Sequence, residues 1–220
     1  SRRSDDYDTP EGKIENSKTR LSTGRAGFGY FTDKTSFSFG YQIEDGRYGV
    51  PGIGDLHGGH GHEGEEHEGE EHHEEEELQI DLDSLRQSAR FDVGMRNLEN
   101  RFVESFRVVF NYLDWHHDEL EVVDGAENIG TSFDNGVYVG RAEFEQKKTE
   151  RLSGKFGVWT KFRDYVVTGE EALAPPTTQA AFAGFVYEEV ALNSAARIQF
   201  GGRIETNKYD PEQRVFEHGH

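Results

Sequence analysis

The chain has 220 residues, no cysteine and a formal net charge of −19, from 43 acidic and 24 basic residues. Without cysteine there can be no thiolate metal site, disulfide framework or cysteine nucleophile. The shortage of lysine and arginine argues against a phosphate backbone as partner, so no nucleic acid is expected. No apolar run reaches the length of a membrane helix, and Ser1 to Gly12 does not read as a signal peptide.

From residue 18 onward the dominant signal is alternation with period two, which marks strands with one apolar and one polar face. The first two predicted strands cover 18–31 and 35–48. In the second, Phe37, Phe39, Tyr41 and Ile43 alternate with Ser36, Ser38, Gly40 and Gln42.

The pattern then breaks for a tract of another kind, Asp55 to Glu77, which holds six histidines, ten glutamates and no basic residue. Its 11 acids (Asp55 and ten Glu) leave 32 acids against 24 bases elsewhere, so about −8 of the −19 belongs to the rest of the chain. Such a composition cannot offset its ordering entropy by apolar burial and is expected to be a solvated loop. Neutral imidazole and carboxylate are ligands for borderline divalent metals, zinc first, then nickel and copper. An acidic linker would have no need of His57, His60, His62, His67, His72 and His73. No histidine pair has the i, i+4 spacing of a preformed helical site, so the tract is expected to act as a multi-site collector of modest affinity. Its capture should weaken below about pH 6.5, where imidazole protonates.

Alternation resumes at 78–96 and 101–115, where Phe106, Val108, Phe110 and Tyr112 oppose Ser105, Arg107, Val109 and Asn111. It continues at 131–146, 150–166, 178–192 and 195–209, with residues 180–190 ambiguous as to face. Trp115-His116-His117-Asp118-Glu119 ends the strand 101–115. There His116 with Asp118, or His117 with Glu119, can project together. A polar strand end beside an interfacial tryptophan is the alternative for that run.

The predicted connections alternate in length. Tight turns fall at 32–34, 97–100, 147–149 and 193–194, and long loops at 49–77, 116–130 and 167–177. All the short turns lie at one end and all the long loops at the other, which is the habit of an outer-membrane barrel. The predicted strands also exceed both the usual five or six residues of soluble sheets and the 9–11 needed to cross a bilayer. Strands that cross and then continue above the membrane account for the excess. The fold expected is all-β, an antiparallel transmembrane β-barrel. The polar face would carry Arg90, Asp92, Arg107, Arg141, Glu143, Lys155, Lys161, Arg163, Arg197, Arg203 and Glu205. A soluble β-sandwich would show the same face to water and remains the competing architecture.

Several short motifs resemble, in order along the chain, the zinc-uptake (ZnuD-type) branch of the TonB-dependent outer-membrane receptors. They are Asp6-Tyr7-Asp8-Thr9-Pro10, Tyr48-Gly49-Val50-Pro51-Gly52 leading into the His/Glu tract, and Trp115 to Glu119. Gly130-Thr131-Ser132-Phe133-Asp134-Asn135 follows, and then Glu170 to Thr178 ahead of the strand with Glu188 and Glu189. The resemblance implies that residues 1–220 are a section of a larger, 22-stranded barrel, with an external loop at 53–77 and a plug domain outside this chain. It implies a bacterial outer-membrane location in contact with lipid, zinc or a related divalent metal as cargo, and energy from the TonB complex through the plug. It also adds metal contact to His116, His117, Asp118 and Glu119. No enzymatic activity is expected, since no nucleophile motif or rigid catalytic ligand set is present. The alternatives are a soluble periplasmic sandwich that buffers metal, or a TonB-dependent receptor for haem, nickel, copper or a metal chelate.

Overall fold

The computed structural model describes residues 1–51, 78–123, 125–169, 172 and 174–212. They contain eleven strands and no helix. Three short ones open the chain: β1 (Arg2–Ser4), β2 (Tyr7–Thr9) and β3 (Gly12–Ile14). Eight long ones follow: β4 (Thr19–Phe31), β5 (Thr35–Val50), β6 (Gln79–Arg96), β7 (Val103–Val123), β8 (Ala126–Gln146), β9 (Leu152–Gly169), β10 (Thr177–Ala191) and β11 (Arg197–Pro211). A nine-stranded sheet runs β1-β4-β5-β6-β7-β8-β9-β10-β11, and β2 pairs with β3 as a separate hairpin. Every pairing is antiparallel, and each long strand lies beside its sequence neighbour. The sheet does not close. β11 has one partner, and beyond Leu21 the outer edge of β4 is unpaired among the described residues.

The turns at the lower end are closed by side chains that mimic a backbone turn. Asn100 Oδ1 accepts from the Phe102 and Val103 amides at 2.8 and 2.7 Å, and Asn193 Oδ1 from those of Ala195 and Ala196 at 2.8 and 2.9 Å. Thr149 Oγ1 accepts from Leu152 N at 3.0 Å. The long loop expected at 116–130 is not there. β7 and β8 pair on to Val123 and Ala126, with one bulge where Glu119 faces Thr131 and Leu120 faces Ile129. The strand signal vanished because polar residues occupy both faces of this stretch. Residues 1–17, left without strands by sequence, hold the three short ones.

The register places Phe28, Phe39, Phe91, Phe110, Thr160 and Phe182 in one row across the sheet. The rows above and below add Tyr41, Tyr112, Tyr138 and Phe162, then Phe37, Val93, Val108, Val158 and Ile204. These residues form one apolar face with aromatic contacts from strand to strand. Phe39 and Phe91 stand 4.7 Å apart and Tyr112 and Tyr138 5.1 Å apart, centroid to centroid. Nothing described packs on this apolar band: Phe28 is 61% exposed, Phe182 52% and Ile204 79%. Among the described residues the buried apolar ones are few: Leu120, Val167, Ala181 and Ala183.

The opposite face is polar and ion-paired. Arg107 grips Asp92 through Nε and Nη2, and Glu143 is shared by Arg141 and Lys155. Arg197 meets Glu189, and Arg203 meets Glu205 while lying over the Trp159 ring. The charged residues expected on a common face share it.

Candidate functional site

The His/Glu tract, with His57, His60, His62, His67, His72 and His73, lies outside the described residues, as do Glu170, Glu171, His218 and His220. What the structure does describe is the pair of strand ends that carry the tract, the top of β5 and the start of β6, and the extension of β7 and β8 beside them.

On β7 the alternation separates the candidate ligands. His116 and Asp118 fall on the apolar side of the sheet, above the Tyr112–Tyr138 level, and His117 and Glu119 on the polar side. His116 sits opposite Asp134 of β8, and Asp118 opposite Ser132. A chain of hydrogen bonds links the four. Ser132 Oγ donates to Asp118 Oδ1 at 2.5 Å, Asp118 Oδ2 is 3.1 Å from His116 Nε2, and His116 Nδ1 is 2.7 Å from Asp134 Oδ1. Both ring nitrogens face carboxylates, so the imidazolium form donates at each end. The Asp134 hydrogen bond, then that of Asp118, outweighs partial burial and raises the His116 pKa above its ordinary value. Asp118 thus stands between Ser132 and the imidazole, and the serine hydroxyl meets a carboxylate instead of a ring nitrogen.

His117 is the reverse case. It is 8% exposed, with Trp115 at 5.2 Å and Phe133 at 5.7 Å between ring centroids. Burial pushes its pKa down, against the pull of nearby Glu119 and Asp118. Of the two neighbours, His117 offers a neutral imidazole, while His116 must give up a stabilised proton before it can bind a metal. Among the described residues no three His, Asp or Glu side chains converge as a metal site. Two opposed ring nitrogens cannot both address one ion, which explains why His116, Asp118 and Asp134 do not form one.

The two histidines give opposite pH responses. His116, with its pKa raised by folding, stabilises fully below the unfolded value of about 6.5, and that contribution is lost as pH rises through its folded pKa. His117, with its pKa lowered, stabilises above about 6.5, and that contribution is lost as pH falls through its folded pKa. His116→Gln is therefore expected to flatten the stability profile on the alkaline side of this point and His117→Phe on the acid side. Urea midpoints between pH 5 and 9 test this; a flattening on the same side for both variants would refute it.

The root of the tract is held by residues that sequence reasoning missed. Asn16, 8% exposed and at φ 53°, donates from Nδ2 to the Ile80 carbonyl at 2.8 Å and to the Val50 carbonyl at 3.4 Å. One side chain thus ties together the strand that enters the tract and the strand that leaves it. Gly49 makes room for this: a Cβ there would lie 2.4 Å from the Asn16 backbone oxygen. Beside it Asp81, 1% exposed, accepts from Arg47 Nε at 3.0 Å and Nη2 at 2.7 Å, with Lys18 Nζ at 3.6 Å. Arg47 Nη2 also reaches Glu127 of β8 at 2.6 Å. The Glu127 hydrogen bond comes first among the influences raising the Arg47 pKa, and Arg47 in turn lowers that of Glu127. Gly49 was the visible signal, within the run Tyr48 to Gly52; the polar clamp over it had none.

Glu188 and Glu189 are held by polar neighbours along the strands. Glu189 binds Arg197 and Gln199 on the polar face, and Glu188 accepts from Gln146 on the other.

The chain matches no known family model and no curated protein. The resemblance to zinc-uptake receptors rests on the short ordered motifs alone.

Proposed function

We propose that the chain is a wall section of a bacterial outer-membrane β-barrel that takes up zinc, a TonB-dependent receptor whose His/Glu tract gathers the ion outside the cell. The observation that carries the membrane reading is the uncovered apolar face. An antiparallel sheet in water buries one face against another layer, whereas here large aromatic side chains stand exposed in a continuous band.

The slant of that band supports the same reading. Its upper edge falls from Ile43 on β5 and Leu85 on β6 to Tyr112, Tyr138 and Phe162, and then to Ile204 on β11. The lower edge falls in parallel, from Phe37 to Phe106 and Phe144, and then to Val190 and Ile198. A fall of about six residues across six strand spacings, at about 3.3 Å per residue and 4.8 Å per strand, is an inclination of roughly 35°. Strands of membrane barrels tilt by about 35–45°. The unpaired edges at β4 and β11 are the places where further strands would continue the wall.

Zinc enters the reading through the tract's chemistry and through the motif resemblance, with His117 as a neutral donor on the lumen side. Transport would depend on a plug and the TonB complex. The test is calorimetric titration of zinc into the chain in detergent micelles, with and without residues 53–77. Deletion is expected to remove most of the bound metal at pH 7.5, and acidification of the intact chain to pH 5.5 to reduce it strongly. Equal stoichiometry in both forms would sink the role given to the tract.

A further inference from the structure

We infer that the polar face carries a binding site for a small anion with two or more carboxylates, set between β4 and β7 below the root of the tract. A hollow of about 470 Å³ lies there, within the range of small-molecule sites. Arg25, Arg86 and Arg90 line it together with Gln42, Ser88 and Asn111, and among the described residues no acidic one does. The register makes the arrangement systematic. Arg25, Gln42, Ser88 and Leu113 share one row, Arg86 and Arg90 flank Ser88 on the same strand, and all of them face the polar side. Gly40 forms part of the floor, and a Cβ there would meet nothing within 4 Å.

The charge balance of the hollow opposes that of the chain, which is strongly acidic overall. Arg90 is already engaged by Asp92 at 3.3 Å and by Asn111 at 3.1 Å. Arg25 and Arg86 have no carboxylate partner among the described residues, although Glu44 stands directly across from Arg86 in the ladder. Elsewhere on this face arginines such as Arg107, Arg141, Arg197 and Arg203 are paired. Two free planar guanidiniums with an amide and a hydroxyl between them suit a ligand whose carboxylates can each take a forked pair of N–H donors. A bare divalent cation would be repelled by the same groups. A polycarboxylate can arrive free or as a complex with a metal. The hollow stands independently of the zinc reading, and only the second source rests on it.

Calorimetric titration of citrate into the full chain in micelles tests the assignment, with inorganic phosphate and zinc citrate as parallel arms. Citrate is expected to bind, to weaken with added salt, and to lose about tenfold or more in affinity when Arg25→Gln and Arg86→Gln are combined. Both arginines are exposed and unpaired, so the double variant should fold; Ser88→Asp, which places an acid on the floor, should abolish binding independently. Zinc titration of the double variant at the tract should be unchanged. Citrate binding that is absent, or equal in wild type and both variants, overturns the proposal, as does phosphate binding as tight as citrate. Loss of zinc binding on deleting residues 53–77 with citrate affinity retained upholds both this site and the zinc reading. Citrate affinity retained with no zinc bound anywhere upholds this site and removes the other reading. Zinc citrate binding tighter than citrate would identify the metal complex as the ligand; weaker binding would identify the free anion.

Discussion

Arginine in place of Phe110 is expected to lower the stability of the assembled protein in a bilayer by about 2–4 kcal/mol, and arginine in place of Asp114 by about 0–1 kcal/mol. The two positions lie on the same strand and the same face, four residues apart. Phe110 stands inside the apolar band, with the Phe91 and Tyr138 rings each 6.4 Å away. Asp114 lies just beyond the Tyr112–Tyr138 level, where the strand carries on as Asp114, His116 and Asp118. On the proposed membrane reading, a charge at the first position would have hydrocarbon around it, and at the second the headgroup region or water. Urea titration of the protein folded into lipid vesicles measures both. Val109→Arg, one residue away but on the polar face, provides the control and is expected to change little. If the face were instead the exterior of a water-soluble sheet, depth would have no meaning and Phe110→Arg would exceed Asp114→Arg only by the ring contacts it gives up, about 1 kcal/mol. A difference no larger than that would therefore remove the membrane assignment, and with it the external placement of the tract.

How far the sequence was legible follows from where water sits on the sheet. In the middle of the strands one face is apolar and the other polar, so residues such as Phe106 to Tyr112 announce strand, face and register parity together. Above the Tyr112 level polar residues stand on both faces, and the run from His116 to Val123 reads as a loop even though the ladder continues through it. The short strands of the first seventeen residues are hidden for a related reason. Three residues make no period, and Asn16 owes its conformation to the carbonyls of Val50 and Ile80, distant in sequence. The sequence did divide His116 and Asp118 from His117 and Glu119, because parity along one strand is local information. Asp134 could not be joined to His116 in that way. Their meeting depends on which residue of β8 faces which residue of β7, and the bulge next to Thr131 shows how easily that count can slip. The free guanidiniums of Arg25 and Arg86 are likewise products of register, since pairing is decided by the neighbours that cross-strand alignment supplies.

Arg47→Met is expected to destabilise the upper end of the sheet by about 3 kcal/mol, the low end of the cost of breaking a buried ion pair. Asp81 would keep only Lys18, at 3.6 Å and half exposed, while remaining shut away from water itself. Among the described residues its Oδ1 already lacks a partner, as does the Oδ1 of Asn16, so they offer no spare donor to redistribute. The loss should be local. Amide exchange is expected to quicken at Gly49, whose N–H donates to the Lys18 carbonyl at 3.0 Å, and at Ser17, whose N–H donates to Asp6 at 2.9 Å. Exchange at Phe91 and Phe110 should not change. Combining Arg47→Met with Asp81→Leu should restore most of the stability, because no buried charge is then left uncompensated; Glu127 and Lys18 lose a partner but are about half exposed to water. If the double variant is as unstable as the sum of the single ones, the pair is not the element that holds the root of the tract. In the proposed capture role the clamp would matter because a collector tethered at Val50 and Ile80 by fixed backbone would have to order only its own residues around an ion. When the root frays, those flanking residues must be ordered as well, at about 1–2 kcal/mol each. Weaker zinc binding in Arg47→Met, recovered in the double variant, would place the Asn16–Asp81 clamp in the working of the tract as well as in its attachment.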